Sequence, residues 1–435
     1  MGLPVRAVRT GEFSDKYFDN IVRILSALKA SGTTYEGIRP SRHIPVDVSH
    51  ELIGDVVVEA QIFNRRAPYA LVGGIDAALA LLRYSSGVHG EPDSEKAWQN
   101  LEVEAIQDGM FTEYDGSPEN VRPVIRIRGR YRDFALLETA ILGYLTRITR
   151  IATSVYEVLK AAKNKNILFF PARFDLPEVQ SADGYAYWLA VRRHREETGF
   201  PSIRPRISTD AQGKWWGGKG MGTIPHALIA AFLGDSASAM LAFAEVMPID
   251  VPRILLADFN NDAVRATLDT LDAFWPHTRA ALLANDREGS KRWSLDGVRL
   301  DTAGNLLDAS LTDPADKGVS PVLVETLRAA IDAWPHSTGE TGDLFVAASW
   351  YARKVLITVT GGFNAERIAQ FERESVPVDN YGVGSSLLIN DKSTATDFTM
   401  DVVRARLAGQ WLDVAKVGRR PGDNPDLQPV NLAEL

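Results

Sequence analysis

Residues 253–302 read RILLADFNNDAVRATLDTLDAFWPHTRAALLANDREGSKRWSLDGVRLDT. A short apolar run, RILLADF (253–259), is followed by a stretch with helical periodicity over 262–284 and then by a second short run, GVRLDT (297–302). A strand, a helix and a second strand in this order are typical of a βαβ unit, whose two strands are parallel. This stretch therefore predicts an α/β fold with a parallel sheet.

The same alternation extends along the chain in both directions. ILFFPA (167–172) is a further predicted strand upstream, and VLITVTGG (355–362) is another downstream, after a predicted helix over 319–333. The number of such units favours a barrel, although a doubly wound open sheet has a similar sequence pattern.

The part of the chain before residue 131 has a different pattern. DVVVEAQIF (55–63) and PVIRIRG (123–129) are predicted strands, and IDAALALLRY (75–84) is a predicted helix between them. A long predicted helix over 134–162 then leads into the parallel part. This pattern is typical of an α+β domain that precedes the α/β domain.

The composition excludes several classes of protein. Apolar residues make up 45% and charged residues 24% of the 435 residues, as in ordinary globular proteins. The chain has no cysteine, so disulfides, catalytic thiolates and cysteine-ligated metals are excluded. No apolar run reaches the ~18 residues of a membrane span, and the N-terminus lacks the apolar core of a signal peptide. We therefore expect a cytoplasmic protein that is not bound to a membrane.

The net charge of −8 argues against a nucleic-acid partner. The arginines of 122–132 alternate with apolar residues, which predicts a half-solvated strand rather than a basic surface. A small anionic ligand needs only a few local cations.

Polar residues and glycines gather at and just after the predicted strands of the α/β part. They are Arg173, Asp175, Asp258, Asn260, Arg299, Asp301, Gly361, Gly362, Gly382, Gly384, Ser385 and Ser386. Ligands of α/β barrels and of open sheets bind at the carboxyl ends of the strands. The sequence therefore predicts a ligand site at that edge.

Two of these strand ends have the composition of phosphate-binding loops. VTGGFNAERI (359–368) places two glycines between a strand and a helix, and YGVGSSLL (381–388) offers glycines and two hydroxyls. Backbone N–H groups approach a phosphate closely where no Cβ intervenes, and a helix N-terminus adds partial positive charge. Ordinary turn glycines and a helix cap are the alternative interpretation.

The segment STDAQGKWWGGKGMGTIPHALI (208–229) differs from the rest of the chain. Gly213 to Lys219 nearly matches a P-loop, but Gly220 stands where Mg²⁺ requires Ser or Thr, so we reject that motif. His226 begins a short predicted helix after what we expect to be a flexible, cationic loop. Spacing alone leaves both a structural and a catalytic role open for this histidine.

Eight short motifs, in order, resemble those of the nicotinate phosphoribosyltransferase family, which consists of type II phosphoribosyltransferases, and of the related nicotinamide enzymes. They are SDKYF (14–18), FALLETAILGYL (134–145), FPARFD (170–175), GTIPHALI (222–229), LADFNND (256–262), DGVRLDT (296–302), TGGFN (360–364) and YGVGSSL (381–387). The most specific combination is formed by the last three.

The resemblance implies an irregular βα barrel with an N-terminal α+β sandwich domain. We place the sandwich at 1–130, joined by part of 388–435, and the barrel at 131–387. The family's reaction joins nicotinate to phosphoribosyl pyrophosphate, giving nicotinate mononucleotide and pyrophosphate in NAD salvage. It is coupled to ATP hydrolysis through a phosphohistidine. The resemblance also implies a homodimer with shared active sites and Mg²⁺ carried by pyrophosphate rather than by protein ligands.

By the same resemblance, the pyridine ring would stack between Phe170 and the partner subunit's Tyr17. Arg173 and Arg299 would meet the base and anionic groups. Asp210 falls where nicotinamide enzymes carry an aspartate that accepts from the amide, and where nicotinate enzymes often carry a neutral residue.

The reacting groups would lie at the strand ends. Asp258 and Asp301 would face the ribose and the Mg²⁺-pyrophosphate, and His226 resembles the histidine that ATP phosphorylates. The resemblance implies a 5′-phosphate site at Gly361, Gly362, Gly384 and Ser385.

Three alternatives remain open at this point. Nicotinamide phosphoribosyltransferase is the nearest, because Asp210 is ambiguous. A barrel aldolase or isomerase acting on a sugar phosphate lacks a lysine placed directly after a predicted strand. A non-catalytic phosphate-binding module is disfavoured by the strand-end carboxylates. Trp215 and Trp216 have no counterpart in the resemblance.

Overall fold

The computed structural model describes residues 1–435 and divides into two compact units. The first unit contains residues 1–154, 185–193 and 390–435, and the second contains 155–184 and 194–389. Each unit is therefore assembled from separate segments of the chain. The domain limits of 1–130 and 131–387 stay a prediction.

The chain forms fourteen strands and thirteen α-helices. The strands are β1 (Val57–Asn64), β2 (Tyr69–Leu71), β3 (Glu102–Ala105), β4 (Phe111–Glu113), β5 (Ile125–Arg130), β6 (Asn166–Phe169), β7 (Arg206–Ile207), β8 (Ile254–Leu256), β9 (Gly297–Leu300), β10 (Leu356–Val359), β11 (Asn380–Val383), β12 (Phe398–Leu407), β13 (Gln410–Asp413) and β14 (Gln428–Val430). The helices are α1 (Val5–Arg9), α2 (Lys16–Ala30), α3 (Ile75–Ser85), α4 (Glu138–Ala162), α5 (Gln180–Thr198), α6 (Asp210–Gly213), α7 (His226–Ala231), α8 (Ser236–Val246), α9 (Ala263–Leu283), α10 (Arg287–Arg292), α11 (Pro321–Ala333), α12 (Gly342–Arg353) and α13 (Ala365–Arg373). No helix is long and apolar enough to span a membrane.

The first unit is built on a six-stranded sheet in the order β13-β12-β1-β5-β3-β14, in which every pairing is antiparallel. Side chains of β5 alternate, because Ile125 and Ile127 are buried while Arg126 and Arg128 lie on the other face among carboxylates. The predicted half-solvated strand is confirmed. Strand β14, close to the C-terminus, adds an edge to this sheet by pairing with β3.

The second unit contains a six-stranded parallel sheet in the order β7-β6-β11-β10-β9-β8. Starting from β8, the spatial order of the strands is β8, β9, β10, β11, β6 and β7. This is the cyclic order of the strands of a barrel that is open between β7 and β8. A doubly wound sheet would instead grow in two directions from its first strand. The prediction of an irregular βα barrel with a separate α+β part is confirmed, although β7 was not predicted.

The parallel strands are buried on both sides, as expected for a sheet covered by its own connecting helices. Consecutive residues of β10, from Ile357 to Val359, are each at most 3% exposed. The predicted helices over 262–284 and 319–333 are confirmed as α9 and α11.

Candidate active site

Hydrogen bonds between neighbouring strands bring three predicted site segments to one edge. Arg299 on β9 pairs in register with Leu256 at the end of β8, and its carbonyl accepts from Ala257 N at 3.2 Å. On the other side, Thr360 N donates to the carbonyl of Leu300 at 2.9 Å. The residues that follow β8, β9 and β10 are thereby aligned side by side.

Arg299 is the charged centre of this edge. Burial lowers the pKa of its guanidinium, while Asp301 and Asp258 act in the opposite direction and Arg173 lowers it further. Asp301, Asp258 and Arg173 therefore all lie within electrostatic reach of Arg299. Nε of Arg299 is buried and has no hydrogen-bond partner in the chain.

The carboxylate of Asp301 is oriented by a neighbouring hydroxyl. Thr360 Oγ1 donates to Asp301 Oδ1 at 2.7 Å, and Thr360 is only 4% exposed. The same carboxylate oxygen lies 3.4 Å from the position that a Cβ would occupy on Gly361. Asp301 thus points along the edge towards the glycine loop.

The loop after β10 has the expected strand–glycine–helix form. Gly361 and Gly362 have φ angles of +86° and +71°, a left-handed pair that favours glycine at both positions. Helix α13 begins three residues later, and its N-cap Asn364 accepts from Arg367 N at 2.9 Å. Both glycines are exposed. A bound phosphate stays a prediction.

The second glycine segment is more tightly packed than the sequence indicates. Gly382 lies within β11 rather than after it, and a Cβ there would come within 2.4 Å of Thr360 Cγ2. A Cβ on Gly384 would lie 2.8 Å from the ring of Phe174 and 3.3 Å from the carbonyl oxygen of Phe170. Close packing is thus a sufficient reason for both glycines.

The two glycine segments are joined by one hydrogen bond. Ser386 Oγ donates to the carbonyl of Phe363 at 2.8 Å, and Ser385 beside it is exposed. The predicted phosphate residues that follow β10 and β11 are therefore neighbours in space.

His226 stands at the N-terminus of α7 and faces a strand-end carboxylate. Its Nε2 lies 3.0 Å from Asp258 Oδ1, and the two residues are 32 positions apart in the sequence. The histidine side chain is 47% exposed and the aspartate side chain 10% exposed. This exposed, paired imidazole differs from a histidine that only packs its helix.

Comparisons with known proteins agree with this architecture. Residues 47–149 match the family described as quinolinate phosphoribosyl transferase, N-terminal domain. The crystal structure of nicotinate-nucleotide pyrophosphorylase from Pyrococcus furiosus superposes with a TM-score of 0.62 at 23% identity, covering 99% of this chain and 85% of that one. The crystal structure of human nicotinic acid phosphoribosyltransferase superposes with a TM-score of 0.54 at 16% identity, covering 94% of this chain and 77% of that one. The chain shares the fold of these two enzymes. The comparison with curated proteins found no match of significant similarity.

The segment around Asp210 is closed by hydrogen bonds. Asp210 Oδ1 accepts from Gly220 N at 2.9 Å, and Gly220 also bridges to Ile207 at the end of β7. The carbonyl of Gly213 accepts from three amides, those of residues 216 to 218. Backbone hydrogen bonds therefore hold residues 213–220 at both ends, whereas the flexibility expected of the loop before His226 stays a prediction.

Trp216 is part of the same closed segment. Its Nε1 donates to the carbonyl of Gln212 at 2.9 Å, and a Cβ on Gly218 would lie 2.3 Å from its ring. The ring is thus packed on a glycine within the segment, which accounts for a tryptophan that the sequence left unexplained.

The structure places the remaining predicted residues as follows. Phe170 directly follows β6 and is half-buried. Arg173 is exposed, and its guanidinium lies 5.3 Å from the ring of Phe174. Tyr17 lies on α2 in the first unit, 59% exposed, with its hydroxyl 3.3 Å from Asp15 Oδ2. Its role in a partner subunit's site stays a prediction.

Two residues of this edge were missed from the sequence. Thr360 lies inside the VTGG motif, so its position was visible, but not its hydrogen bond to Asp301. Thr302 is 3% exposed and its hydroxyl has no hydrogen-bond partner in the chain. A threonine at the end of a predicted strand is common, so the sequence carried no further signal.

Proposed function

We propose that this protein is a nicotinate phosphoribosyltransferase, which forms nicotinate mononucleotide and pyrophosphate from nicotinate and phosphoribosyl pyrophosphate. We also propose that this reaction is coupled to ATP hydrolysis through phosphorylation of His226 and that it serves NAD salvage. The observation that carries the proposal is the charge arrangement around Arg299, where two carboxylates and two guanidiniums meet beside a left-handed glycine pair. The fold it shares with nicotinic acid phosphoribosyltransferase supports the same reaction class.

The arrangement suits a displacement at C1 of the ribose. As pyrophosphate departs, positive charge builds on the sugar and negative charge on the leaving group. Asp301, held by Thr360 next to Gly361, would face the sugar when the 5′-phosphate lies on the glycine loop. Arg299 and Arg173 would stabilise the carboxylate of the base and the departing oxygens. No nucleophilic side chain is needed.

The donor set also fits a magnesium ion that arrives with pyrophosphate. Asp258 and Asp301 each use Oδ1 for a hydrogen bond within the chain, which leaves the second oxygen of each carboxylate for a ligand. Carboxylate and phosphate oxygens are the donors that Mg²⁺ prefers, usually with several waters. The ion would supply positive charge on the leaving group. No group of three or more potential ligand side chains occurs in the chain.

The pairing of His226 with Asp258 supports the ATP-coupled form of the reaction. When Nε2–H donates to Asp258, the lone pair of the ring is on Nδ1. Nδ1 would then attack the γ-phosphorus of ATP, forming an N–P bond while the bond to the bridging oxygen breaks and ADP leaves. The exposed imidazole is accessible to such a donor.

Quinolinate is a second candidate base, favoured by the match of residues 47–149 to the quinolinate family. Quinolinate carries two carboxylates, so its recognition needs more cationic contacts than nicotinate does. The nicotinamide alternative depends on Asp210, whose Oδ1 already accepts from the Gly220 amide. Nicotinate therefore remains the first choice.

The test is a base-selection assay. The purified protein is incubated with phosphoribosyl pyrophosphate and Mg²⁺ and with nicotinate, quinolinate or nicotinamide, each with and without ATP. We expect nicotinate to be consumed fastest, with pyrophosphate released and ATP accelerating the reaction. Preference for quinolinate or nicotinamide would replace the proposed base, and no consumption of any base would reject the proposal.

His226 is tested by labelling. Incubation with γ-radiolabelled ATP and Mg²⁺ should give an acid-labile, base-stable phosphoprotein. His226→Ala should lose both the label and the stimulation by ATP while keeping slow, uncoupled transfer, because the barrel residues remain in place. His43→Ala, which removes an exposed histidine of the first unit, is the matched control and should keep both. A label that survives His226→Ala would exclude this histidine as the carrier.

A further inference from the structure

Arg367 is a charged residue of the barrel that lies outside the predicted set of site residues. It lies in the first turn of α13, and its side chain reaches back to the glycine loop. Nη1 donates to the carbonyl of Gly361 at 2.8 Å, and Nη2 donates to the carbonyl of Val319 at 2.7 Å. The guanidinium carbon lies 4.2 Å from the ring centroid of Phe363. Burial lowers the pKa of Arg367.

The contact with Gly361 fixes more than one carbonyl. A trans peptide unit is planar, so its C=O and N–H point in opposite directions. Because Arg367 holds the oxygen of Gly361, the N–H of Gly362 in the same peptide unit must point away from the guanidinium. Two successive glycines have wide conformational freedom. The hydrogen bond therefore selects one orientation from many.

The contact with Val319 links this loop to its neighbour. Val319 is 1% exposed and lies in the connection between β9 and α11, which begins at Asp301. That connection is itself closed where Gly318 N donates to the carbonyl of Leu306 at 2.8 Å. One guanidinium thus joins the loop that follows Asp301 to the loop that contains Gly361 and Gly362.

We propose that Arg367 is a positioning residue for the phosphoribosyl donor. It directs the N–H of Gly362 towards the 5′-phosphate and sets the spacing between that phosphate and the carboxylate of Asp301. The identity of the donor rests on the function proposed above. A lysine cannot replace this residue, because its single ammonium is a point charge, whereas the planar guanidinium presents two nitrogens to two carbonyls at once.

The experiment compares Arg367→Lys, which keeps the charge, with Arg367→Gln, which removes it. Binding of phosphoribosyl pyrophosphate is measured by calorimetry, together with KM for both substrates and the thermal unfolding midpoint. We expect both variants to weaken donor binding by about tenfold or more, as misplacement of a binding group does. KM for nicotinate should remain near the wild-type value. Arg373→Lys, at an exposed position of the same helix, is the control.

The outcomes separate this inference from the proposed function. If the wild-type protein does not bind phosphoribosyl pyrophosphate, both are overturned. If it binds and Arg367→Lys retains wild-type affinity, Arg367 acts only through its charge, and the positioning role is overturned while the function stands.

A second measurement does not depend on the folding of any variant. In wild-type protein labelled with ¹⁵N-glycine, saturation with phosphoribosyl pyrophosphate should shift the Gly362 amide resonance strongly. Glycines at the amino ends of the barrel strands, such as Gly297 at the start of β9, should not shift. A Gly362 amide that does not respond to the bound donor would overturn the inference.

Discussion

Asp301 directly follows β9, and one of its carboxylate oxygens is already hydrogen-bonded by the Thr360 hydroxyl. The carboxylate keeps its negative charge in this hydrogen bond, but the bond limits the directions in which the group can point. Arg299 and the left-handed Gly361 lie beside it. A single well-oriented charge of this kind is what an electrostatic contribution to catalysis requires.

Asp301→Asn should therefore lower kcat by roughly 10²-fold, on the scale of other groups that stabilise charge in a transition state. An asparagine can still accept from Thr360, so the fold should be retained and the thermal midpoint little changed. Steady-state turnover at saturating substrates measures the effect. Asp343→Asn, at an exposed carboxylate of α12, is the control. Wild-type turnover by a folded Asp301→Asn protein would reject the role.

Asp210 is a second residue whose hydrogen-bond partner affects the role that we assign to it. If the enzyme uses nicotinate, this carboxylate has to point away from the base or be paired, and its partner in the structure is the backbone amide of Gly220. An oxygen that accepts from the loop's own backbone repels the carboxylate of nicotinate less than a fully available one does.

Asp210→Ser should leave kcat/KM for nicotinate near its wild-type value or raise it, since a negative charge near the anionic base is removed. The same assay with nicotinamide provides the contrast. If the wild-type enzyme prefers nicotinamide and the variant loses about 1.5–3 kcal/mol of transition-state binding, the size of a charged hydrogen bond, nicotinamide is the natural base.

At the level of elements, the N-terminus of α3 depends on a buried carboxyl group. Asp108 accepts from the amides of Ile75 and Asp76, at 2.7 and 3.3 Å, and from the hydroxyl of Tyr185 at 3.0 Å. The amides at a helix N-terminus have no partner within the helix, so this side chain replaces a conventional cap. Burial and the neighbouring charge of Asp76 raise the pKa of Asp108 to about 7.

This raised pKa predicts a pH dependence of stability. The unfolded carboxyl titrates near its ordinary value of 3.8 and the folded one near 7, so the folded state binds more protons between these values. The contribution of Asp108 titration to the free energy of unfolding is complete below the pKa of the unfolded carboxyl, falls as the pH rises, and is lost above about pH 7. The change is on the order of a few kcal/mol.

Asp108→Asn removes the titration while keeping an acceptor for the helix amides. We therefore expect the difference in unfolding free energy between wild type and variant to change from pH 4 to pH 7 and to level off at higher pH. Urea unfolding at a series of pH values measures it. A difference that does not vary with pH would show that Asp108 is not titrating in this range.

At the scale of the whole molecule, the candidate site residues are divided between the two units. Tyr17 lies on α2 in the first unit, whereas the other predicted site residues belong to the second. Tyr17 is largely exposed, although tyrosine carries a large apolar ring. A site shared between two subunits would give this ring a partner.

A site shared between two subunits would predict complementation between two inactive variants. In a hybrid dimer of Tyr17→Ala and Asp301→Asn, one barrel would have its own Asp301 and receive the partner subunit's Tyr17. Random subunit exchange should then restore about a quarter of wild-type activity, since half of the dimers are hybrids with one intact site of two. Each variant mixed with itself is the control. No recovery despite demonstrated exchange would place Tyr17 in the site of its own chain.

Local patterns were sufficient to predict much of this protein. The lengths and periods of the apolar runs over 253–302 predicted β8, α9 and β9, because strand and helix periodicity are properties of consecutive residues. Glycines between β10 and α13 were visible for the same reason. The eight ordered motifs predicted the fold, which the comparisons confirm.

Other features were decided only when distant segments came together. Strand order, which distinguishes an opened barrel from a doubly wound sheet, depends on which strand edges pair and not on the strands themselves. The two-residue β7 is too short to show a period. Gly382 was predicted to follow a strand, but it lies within β11. This position requires glycine because Thr360 and Phe170, on neighbouring segments, leave no room for a Cβ.

The chemistry of the site divides in the same way. The sequence determined which residue types stand at the strand ends, including Asp258, Asp301 and Arg299. Only the tertiary structure paired His226 with Asp258 and directed Arg367 to two backbone carbonyls. The physical reason is that every residue carries the same carbonyl group, so no sequence pattern distinguishes the carbonyl that folding brings within 3 Å of a guanidinium.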